Sequence, residues 1–348
     1  MAVRVIMWGA GKNGKALIRA VARRSDTVLV GCKVYNPDKN GVDAGVLAGI
    51  DLLGVPATTD RAALLALEAD VVLHCPKLYP DMTDNDADVC ALLRSGKHVI
   101  SLTGAHSMPQ AIPGYAEQFE QACAEGGSTF VAGGINPGFI AERLAPTLTG
   151  LCAEVDAVNI RETYQCQTSH QDMVFRAMQF GVPLADWNAD SPIGRLFDHL
   201  FTQLIHAAAT PLGIELQEVR RTIEIAPMPA DATVAGRLVR AGTVGGIGQI
   251  WEGVPVDPGQ VIVRKTTRWV ISDDIPGWEP FSGWRIEIEG KPNLRLDLRM
   301  DPEGDFTYSA ECMVGAAIPL IEQVMRAPPG ILRPTIFAPF KKRMGSFG

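Results

Sequence analysis

Val3-Arg4-Val5-Ile6-Met7-Trp8-Gly9-Ala10-Gly11-Lys12-Asn13-Gly14-Lys15-Ala16 decides how this chain is read. The first six residues are a mostly apolar run with the composition of a buried strand. Gly9-x-Gly11-x-x-Gly14 follows at once. Then comes a helical pattern, Lys15–Arg23, with Ala16, Leu17, Ala20 and Val21 on one face. Between a strand and a helix each glycine has a distinct job. The first permits the tight turn, the second lets backbone approach a pyrophosphate, and the third lets the helix pack on the sheet. The helix N-terminus offers free N–H groups and a positive dipole end to phosphates. Gly9, Ala10, Gly11, Lys12, Asn13 and Gly14 are therefore the expected cofactor cradle.

Outward from this unit, strand-like runs recur at Thr27–Val34, Val71–Cys75, His98–Leu102 and Thr129–Ala132. Amphipathic helical patterns at Arg61–Glu68, Asp86–Ser95 and Pro113–Glu125 separate them. Strands alternating with helices predict right-handed βαβ units and a parallel sheet. After Pro137 longer alternating strands take over: Glu154–Glu162, Glu215–Ile225, Thr243–Trp251, Val261–Val270, Trp284–Glu289 and Leu294–Met300. Helical patterns near Met173–Gly181 and Ile193–Ala209 accompany them. Such strands with short turns predict a mostly antiparallel sheet. Gly242–Gly248 reads as a hairpin bend, because no helix follows it. Tyr308–Arg326 is an apolar helix containing Pro319. The expected fold class is α/β, with a dinucleotide-binding domain over 1–135 and an α+β substrate and dimerisation domain over 136–304. A helix and tail over 305–348 are expected to return to the first domain.

Composition narrows the functions. The 348 residues carry a net charge of -7, with 47% hydrophobic and 20% charged residues. A basic stripe for nucleic acid is missing. No uncharged apolar run reaches the ~18 residues of a membrane span, and the first strand leaves no room for a signal peptide. Seven scattered cysteines without a C-x-x-C pair predict neither a disulfide framework nor a zinc site. No metal is expected. A cytoplasmic enzyme with a small-molecule substrate is.

The second strand sets the cofactor. NAD binders usually end it on a carboxylate that bonds the ribose 2′-OH. Here it runs into Asn36-Pro37-Asp38-Lys39. Asn36 is neutral and Lys39 can face a 2′-phosphate, which favours NADP; Asp38 keeps NAD open. Two loops at the carboxyl ends of later strands are expected to reach the cofactor and substrate. One holds His74, Cys75, Pro76, Lys77 and Tyr79, and the other holds Thr103, Gly104 and His106.

Several segments together are familiar. Val5-Ile6-Met7-Trp8-Gly9-Ala10-Gly11 and Tyr35–Gly45 resemble the nucleotide half of dihydrodipicolinate-reductase-like oxidoreductases. Gly133-Gly134-Ile135-Asn136-Pro137-Gly138-Phe139 resembles a domain junction in the group of native amine dehydrogenases and 2,4-diaminopentanoate dehydrogenase. Met173–Gly181 and Ala327-Pro328-Pro329-Gly330-Ile331 resemble that group's later segments. The resemblance implies a Rossmann domain, an active cleft, and a homodimer through the open sheet of the second domain. Asn136 and Pro137 at the junction are expected cofactor contacts. The amine dehydrogenases are thought to activate substrate with a glutamate just after the fifth strand. His98–Ser107 contains no carboxylate, and ungapped counting puts Gly104 in its place.

The expected proton carrier is therefore His106, whose imidazole titrates near neutral pH. Lys77 with Tyr79 is an alternative pair, and Glu162 the carboxylate that can replace the missing one. Tyr164, Met173 and Met178 are expected to wall the substrate. His199 and His206 read as packing rather than metal ligands. The expected function is hydride transfer between nicotinamide and a C=N or C=O carbon of a small to medium, partly apolar substrate. The alternatives are a ketone reductase and a nucleotide-binding protein with a degenerate active site.

Overall fold

The structure is a computed structural model that describes residues 2–77, 82–167, 172–299, 310–333 and 335–341. Two compact units divide the chain: Met1–Phe139 with Tyr308–Thr335, and Ile140–Thr307 with Ile336–Gly348.

The first unit alternates strand and helix: β1 Val3–Trp8, α1 Lys12–Ala22, β2 Thr27–Lys33, α2 Ala44–Ala48, β3 Ala57–Thr58, α3 Arg61–Ala66, β4 Val71–His74, α4 Thr83–Arg94, β5 His98–Ser101, α5 Glu117–Gly126 and β6 Thr129–Ala132. The seven-stranded sheet runs β15-β6-β5-β4-β1-β2-β3, with β15 at Gly330–Ile331. Every pairing in it is parallel. Strand order reverses between β1 and β4, so their carboxyl ends frame the crevice where ligands bind in open α/β sheets. Trp8 pairs with His74 there.

Alternation along the strands feeds two cores. Val5, Met7, Leu73 and Ile100 face α1 and the late helix, together with Leu17, Val21, Leu320 and Val324. Ile6, Trp8, Val72 and Val99 face α4 and α5, meeting Val89, Leu92, Phe119 and Phe130. A sheet buried on both faces explains why these strands read as apolar runs.

The second unit contains α6 Ala145–Thr149, β7 Glu154–Gln165, α7 Asp172–Met178, α8 Pro192–Ala209, β8 Leu216–Pro227, β9 Ala232–Val234, β10 Arg237–Val239, β11 Val244–Pro255, β12 Ile262–Val270, β13 Gly283–Lys291 and β14 Leu294–Leu298. A helical turn segment, Gly134–Leu144, leads into α6. The six-stranded sheet runs β14-β13-β7-β12-β11-β8. Only β7 and β12 pair in parallel; the other pairings are antiparallel. One face packs under α7 and α8, where Phe175, Met178, Ile247, Trp269 and Phe197 cluster. Ser191 caps α8 by accepting from Gly194 N–H, with Pro192 in the first turn. This is the preferred start chemistry of a helix.

Two sequence expectations change. Gly242 alone turns the chain, at φ +77°, while Gly245, Gly246 and Gly248 sit inside β11. Gly246 and Gly248 leave room for Trp278: a Cβ on Gly246 would stand 2.9 Å from its ring, and one on Gly248 3.2 Å, whereas Gly245 lies against Met228. The tail also divides. Helix α9, Ala310–Arg326, and β15 belong to the first unit, whereas Phe340 N–H donates to Thr149 Oγ1 of the second at 2.9 Å.

Leu320 is completely buried between α9 and the first sheet. Leu320→Ala should cost about 2–5 kcal/mol through lost burial and the cavity left behind. Urea unfolding measures it. A cost under about 1 kcal/mol would mean that α9 is not part of this core.

Candidate cofactor and active site

The glycine loop leaves no room for side chains where it turns. Gly9 has φ +106°, and a Cβ there would lie 2.6 Å from the Cys75 carbonyl oxygen. A Cβ on Gly14 would lie 2.0 Å from the Gly9 carbonyl oxygen. Gly11 differs: its Cβ would meet nothing within 4 Å. Gly11 is also the N-cap of α1, at φ -79°, an angle that any residue adopts. Among the described residues, nothing of the protein fills that side, which opens on the cavity beside the loop.

A cavity of about 370 Å³ opens on this loop. Gly9, Ala10, Gly11, Lys12, Asn13 and Gly14 line it with Val34, Tyr35, Asn36, Lys39, Cys75, Pro76 and Lys77. The expected cradle residues are thus gathered in one place, and Lys77 lines the same cavity. A dinucleotide fits this chemistry: glycine backbone and a helix N-terminus for the pyrophosphate, and no carboxylate among the lining residues at the end of β2. Asn36 Oδ1 accepts from Asp38 N–H at 3.0 Å and shapes the turn that presents Lys39. Lys33 escaped notice in the sequence. Its ammonium is spent on the Val34 and Thr59 carbonyls, at 3.2 and 2.9 Å, and lies over the Tyr35 ring.

The loop after β5 folds into a buried polar chain. His106 Nε2 stands 2.8 Å from Asp86 Oδ1, and Tyr115 donates to the same oxygen at 2.9 Å. His106 Nδ1 stands 2.6 Å from Ser101 Oγ and 3.3 Å from Thr103 Oγ1. An ionised Asp86 can only accept, so it selects the Nε2–H tautomer and leaves Nδ1 to accept from the hydroxyls. The His106 side chain is 0% exposed, and Phe119 and Phe130 meet its ring edge-to-face. Both ring nitrogens of His106 are committed and the ring is closed off from solvent. Thr103, half-buried, is the outermost hydroxyl of the chain, and Gly104 beside it turns at φ +78°. Asp86 comes from α4 and Tyr115 from the turns just before α5, so neither belongs to the loop that holds His106. Burial pushes the Tyr115 phenol up, and Asp86 adds to the shift.

His74 ends β4, fully buried, with neither ring nitrogen partnered among the described residues. Desolvation, and secondarily His106, holds its pKa well below the usual 6.5. Asn136 and Pro137 lie where β6 gives way to the Gly134–Leu144 turns. Tyr79 falls outside the described residues.

In the second unit, Glu162 does not stand free as a substitute carboxylate. Lys265 Nζ is 2.6 Å from its Oε2, with both side chains at 0–1% exposure. Trp284 Nε1 donates to its Oε1 at 3.0 Å, and Tyr164 donates its hydroxyl to the same atom. A carboxylate so fully engaged anchors its neighbours. Tyr164 in turn stacks on Trp269 at 4.1 Å between ring centroids. Met178 is buried under α8. Met173 lies in α7.

A glycine cradle at the switch point of a parallel sheet is the dinucleotide-binding arrangement of the Rossmann class. Residues 3–120 match the N-terminal domain of dihydrodipicolinate reductase. Residues 139–339 match the 2,4-diaminopentanoate dehydrogenase C-terminal domain, and the chain belongs to that family. An amine dehydrogenase of Streptomyces virginiae is 29% identical over 99% of both chains. The 2,4-diaminopentanoate dehydrogenase of Acetoanaerobium sticklandii is 24% identical, covering 94% of this chain and 91% of its own. An amine dehydrogenase structure from Mycobacterium smegmatis superposes with a TM-score of 0.72 at 20% identity, covering 95% of each chain, and shares the fold.

Gly11→Ala and Gly14→Ala separate the two uses of glycine. Gly11→Ala should keep the melting temperature while weakening NADPH binding at least tenfold, and Gly14→Ala should lower stability itself. Thermal melts with fluorescence titration read both, and unchanged binding by the Gly11 variant would remove the loop from cofactor recognition. His74 makes stability pH-dependent. Its folded pKa is depressed, so the contribution is full above about 6.5 and is lost as pH falls below it, where the unfolded chain takes up the proton. His74→Leu should therefore show a shallower fall in Tm between pH 7 and 5 than the parent, and parallel curves would contradict it.

Proposed function

We propose that the protein is an NADP-preferring dehydrogenase that interconverts a primary amine with its carbonyl compound. The observation that carries this reading is the full-length relation to an amine dehydrogenase, joined to a glycine cradle built for a dinucleotide. Oxidation breaks one C–H and one N–H bond of the amine. The hydride goes to the nicotinamide, which is the chemistry the cofactor supplies, and the proton leaves from nitrogen. Water then converts the imine to the carbonyl compound and ammonia.

This chain's residues handle binding and the proton. Lys12 and the N-terminus of α1 would hold the pyrophosphate, and Lys39 would hold the 2′-phosphate. Cys75, Pro76 and Lys77 form the opposite wall of the same cavity. Asn136 and Pro137 are carried as further cofactor contacts. The proton moves through Thr103 and Ser101 to His106 Nδ1, with Asp86 holding Nε2–H in place. In this scheme Thr103 meets the substrate and His106 acts behind it. Tyr164, Met173 and Met178 wall the substrate. Lys77 with Tyr79 is the alternative proton pair.

A ketone reductase is the second reading, favoured by the lack of a carboxylate in His98–Ser107. We also propose a cytoplasmic homodimer, joined through the second sheet's face away from α8. Arg161, Arg264, Arg285, Arg295, Glu252, Glu287 and Asp297 form ion pairs with one another there, and Ile250 is exposed among them.

Ketone, ammonium and NADPH should yield amine; alcohol as the only product would establish the ketone reductase, and no turnover with either cofactor would defeat both. Lys39→Glu should reverse the preference for NADPH over NADH, whereas an unchanged ratio would place the 2′-phosphate elsewhere. Thr103→Val and His106→Ala should each lower kcat by about 10²–10⁴ with cofactor affinity retained, the range for loss of a general acid or base. If kcat survives in both, the proton takes another route.

A further inference from the structure

The turn between β11 and β12 and the end of α8 enclose a cavity of about 330 Å³, wholly within the second unit. That volume lies in the range of sites for small molecules. Leu212, Ile214 and Val261 supply its buried apolar lining, and Asp257 and Gln260 its polar side.

The two polar side chains are tied to each other. Gln260 Nε2 donates to Asp257 Oδ2 at 2.9 Å, and Gln260 N–H donates to the Asp257 carbonyl at 3.3 Å. These bonds close the turn and bring both side chains to one cavity. Gln260 Oε1, however, is buried and has no hydrogen-bond partner among the described residues. Folded proteins satisfy nearly all such atoms. An amide oxygen left over beside a cavity calls for a donor from a ligand.

The lining decides the ligand's charge. Among the residues that line the cavity Asp257 is the one charged group, and none is Lys or Arg. Helix α8 runs out beside it through the turn Thr210–Leu212, and a helix C-terminus carries partial negative charge. An anion is therefore refused. A neutral alcohol answers Gln260 and leaves the carboxylate unmatched. A hard metal cation collects about six or more oxygens, which one carboxylate and an apolar lining do not supply. A primary ammonium has three donors and no acceptor. One proton goes to Gln260 Oε1, one to the Asp257 carboxylate and one to water, while its alkyl chain lies against Leu212, Ile214 and Val261.

We propose that this cavity binds a small primary alkylammonium ion. It is distinct from the substrate wall proposed above. Trp269, which stacks on Tyr164, lies eight residues from Val261 along β12. That is a span of about 26 Å at the rise of a strand. Amines are also the compounds that the proposed reaction handles, so the enzyme carries a second place for its own substrate class. That link, and not the site itself, rests on the amine dehydrogenase reading.

Calorimetric titration of the full-length protein with n-butylammonium chloride, in the absence of cofactor, tests the site. Butan-1-ol and potassium chloride are the comparison ligands. Butylammonium should bind at least about tenfold tighter than either, the gain expected from a charge-assisted hydrogen bond joined to apolar contact. Asp257→Asn should weaken that binding by about tenfold, and Gln260→Met by about three- to tenfold. The second variant decides if the first fails to fold by circular dichroism. Equal binding of the three ligands overturns the proposal. So does binding that survives in both variants, which would place the amine elsewhere in the protein. No binding by the parent at about 50 mM overturns it as well, since a small site of this kind should reach millimolar affinity. Turnover is read separately: butylammonium that binds here in a protein that converts no amine keeps the site and defeats the reaction reading.

Discussion

The first unit depends on a clearance. The N-terminus of α1 sits so close over the end of β1 that the Gly9 carbonyl occupies the place a Cβ on Gly14 would need. Cys75 presses on Gly9 from the neighbouring strand in the same way. Backbone must therefore pack on backbone at the point where the strand order reverses. That contact aims the free N–H groups of α1 into the crevice and aligns the ends of β2, β4 and β5 around it. It also accounts for phosphate recognition by an acidic chain. With a net charge of -7, local backbone dipoles and a few lysines must outweigh the overall field.

Two buried polar systems carry the rest. Asp86, His106, Ser101 and Thr103 form one, between β5, its following loop and α4. Glu162, Lys265, Tyr164 and Trp284 form the other, across three neighbouring strands. They behave alike. Each charged group is desolvated but fully engaged, so removing one member would strand the others at high cost. Each ends in a half-buried hydroxyl, that of Thr103 in the first and that of Tyr164, turned back onto Glu162, in the second. Only the first is given a proton to carry in the proposed reaction, and Glu162 holds Tyr164 in position.

Much of the fold was legible in order. Strong period and punctuation at Val3–Gly14 and the alternating strands after residue 154 announced a parallel sheet followed by a mixed one. The exceptions have physical causes. Gly242–Gly248 looked like a bend because glycine is rare inside strands; the reason for Gly246 and Gly248, the ring of Trp278, lies about thirty residues on. Strands β7 and β12 pair in parallel although both carry the alternation of antiparallel strands. Alternation records which faces are buried and says nothing of direction.

For the site, sequence alone determined the cradle, since a glycine loop between a strand and a helix is a local feature whose spacing carries its own chemistry. It also singled out His106 and Glu162 as groups worth placing. Only the tertiary structure decided what those groups face. Asp86 comes from α4 and Lys265 from a strand about a hundred residues beyond Glu162. Whether a histidine or carboxylate meets solvent, substrate or a buried partner depends on such long-range neighbours. No period or motif along the chain encodes them.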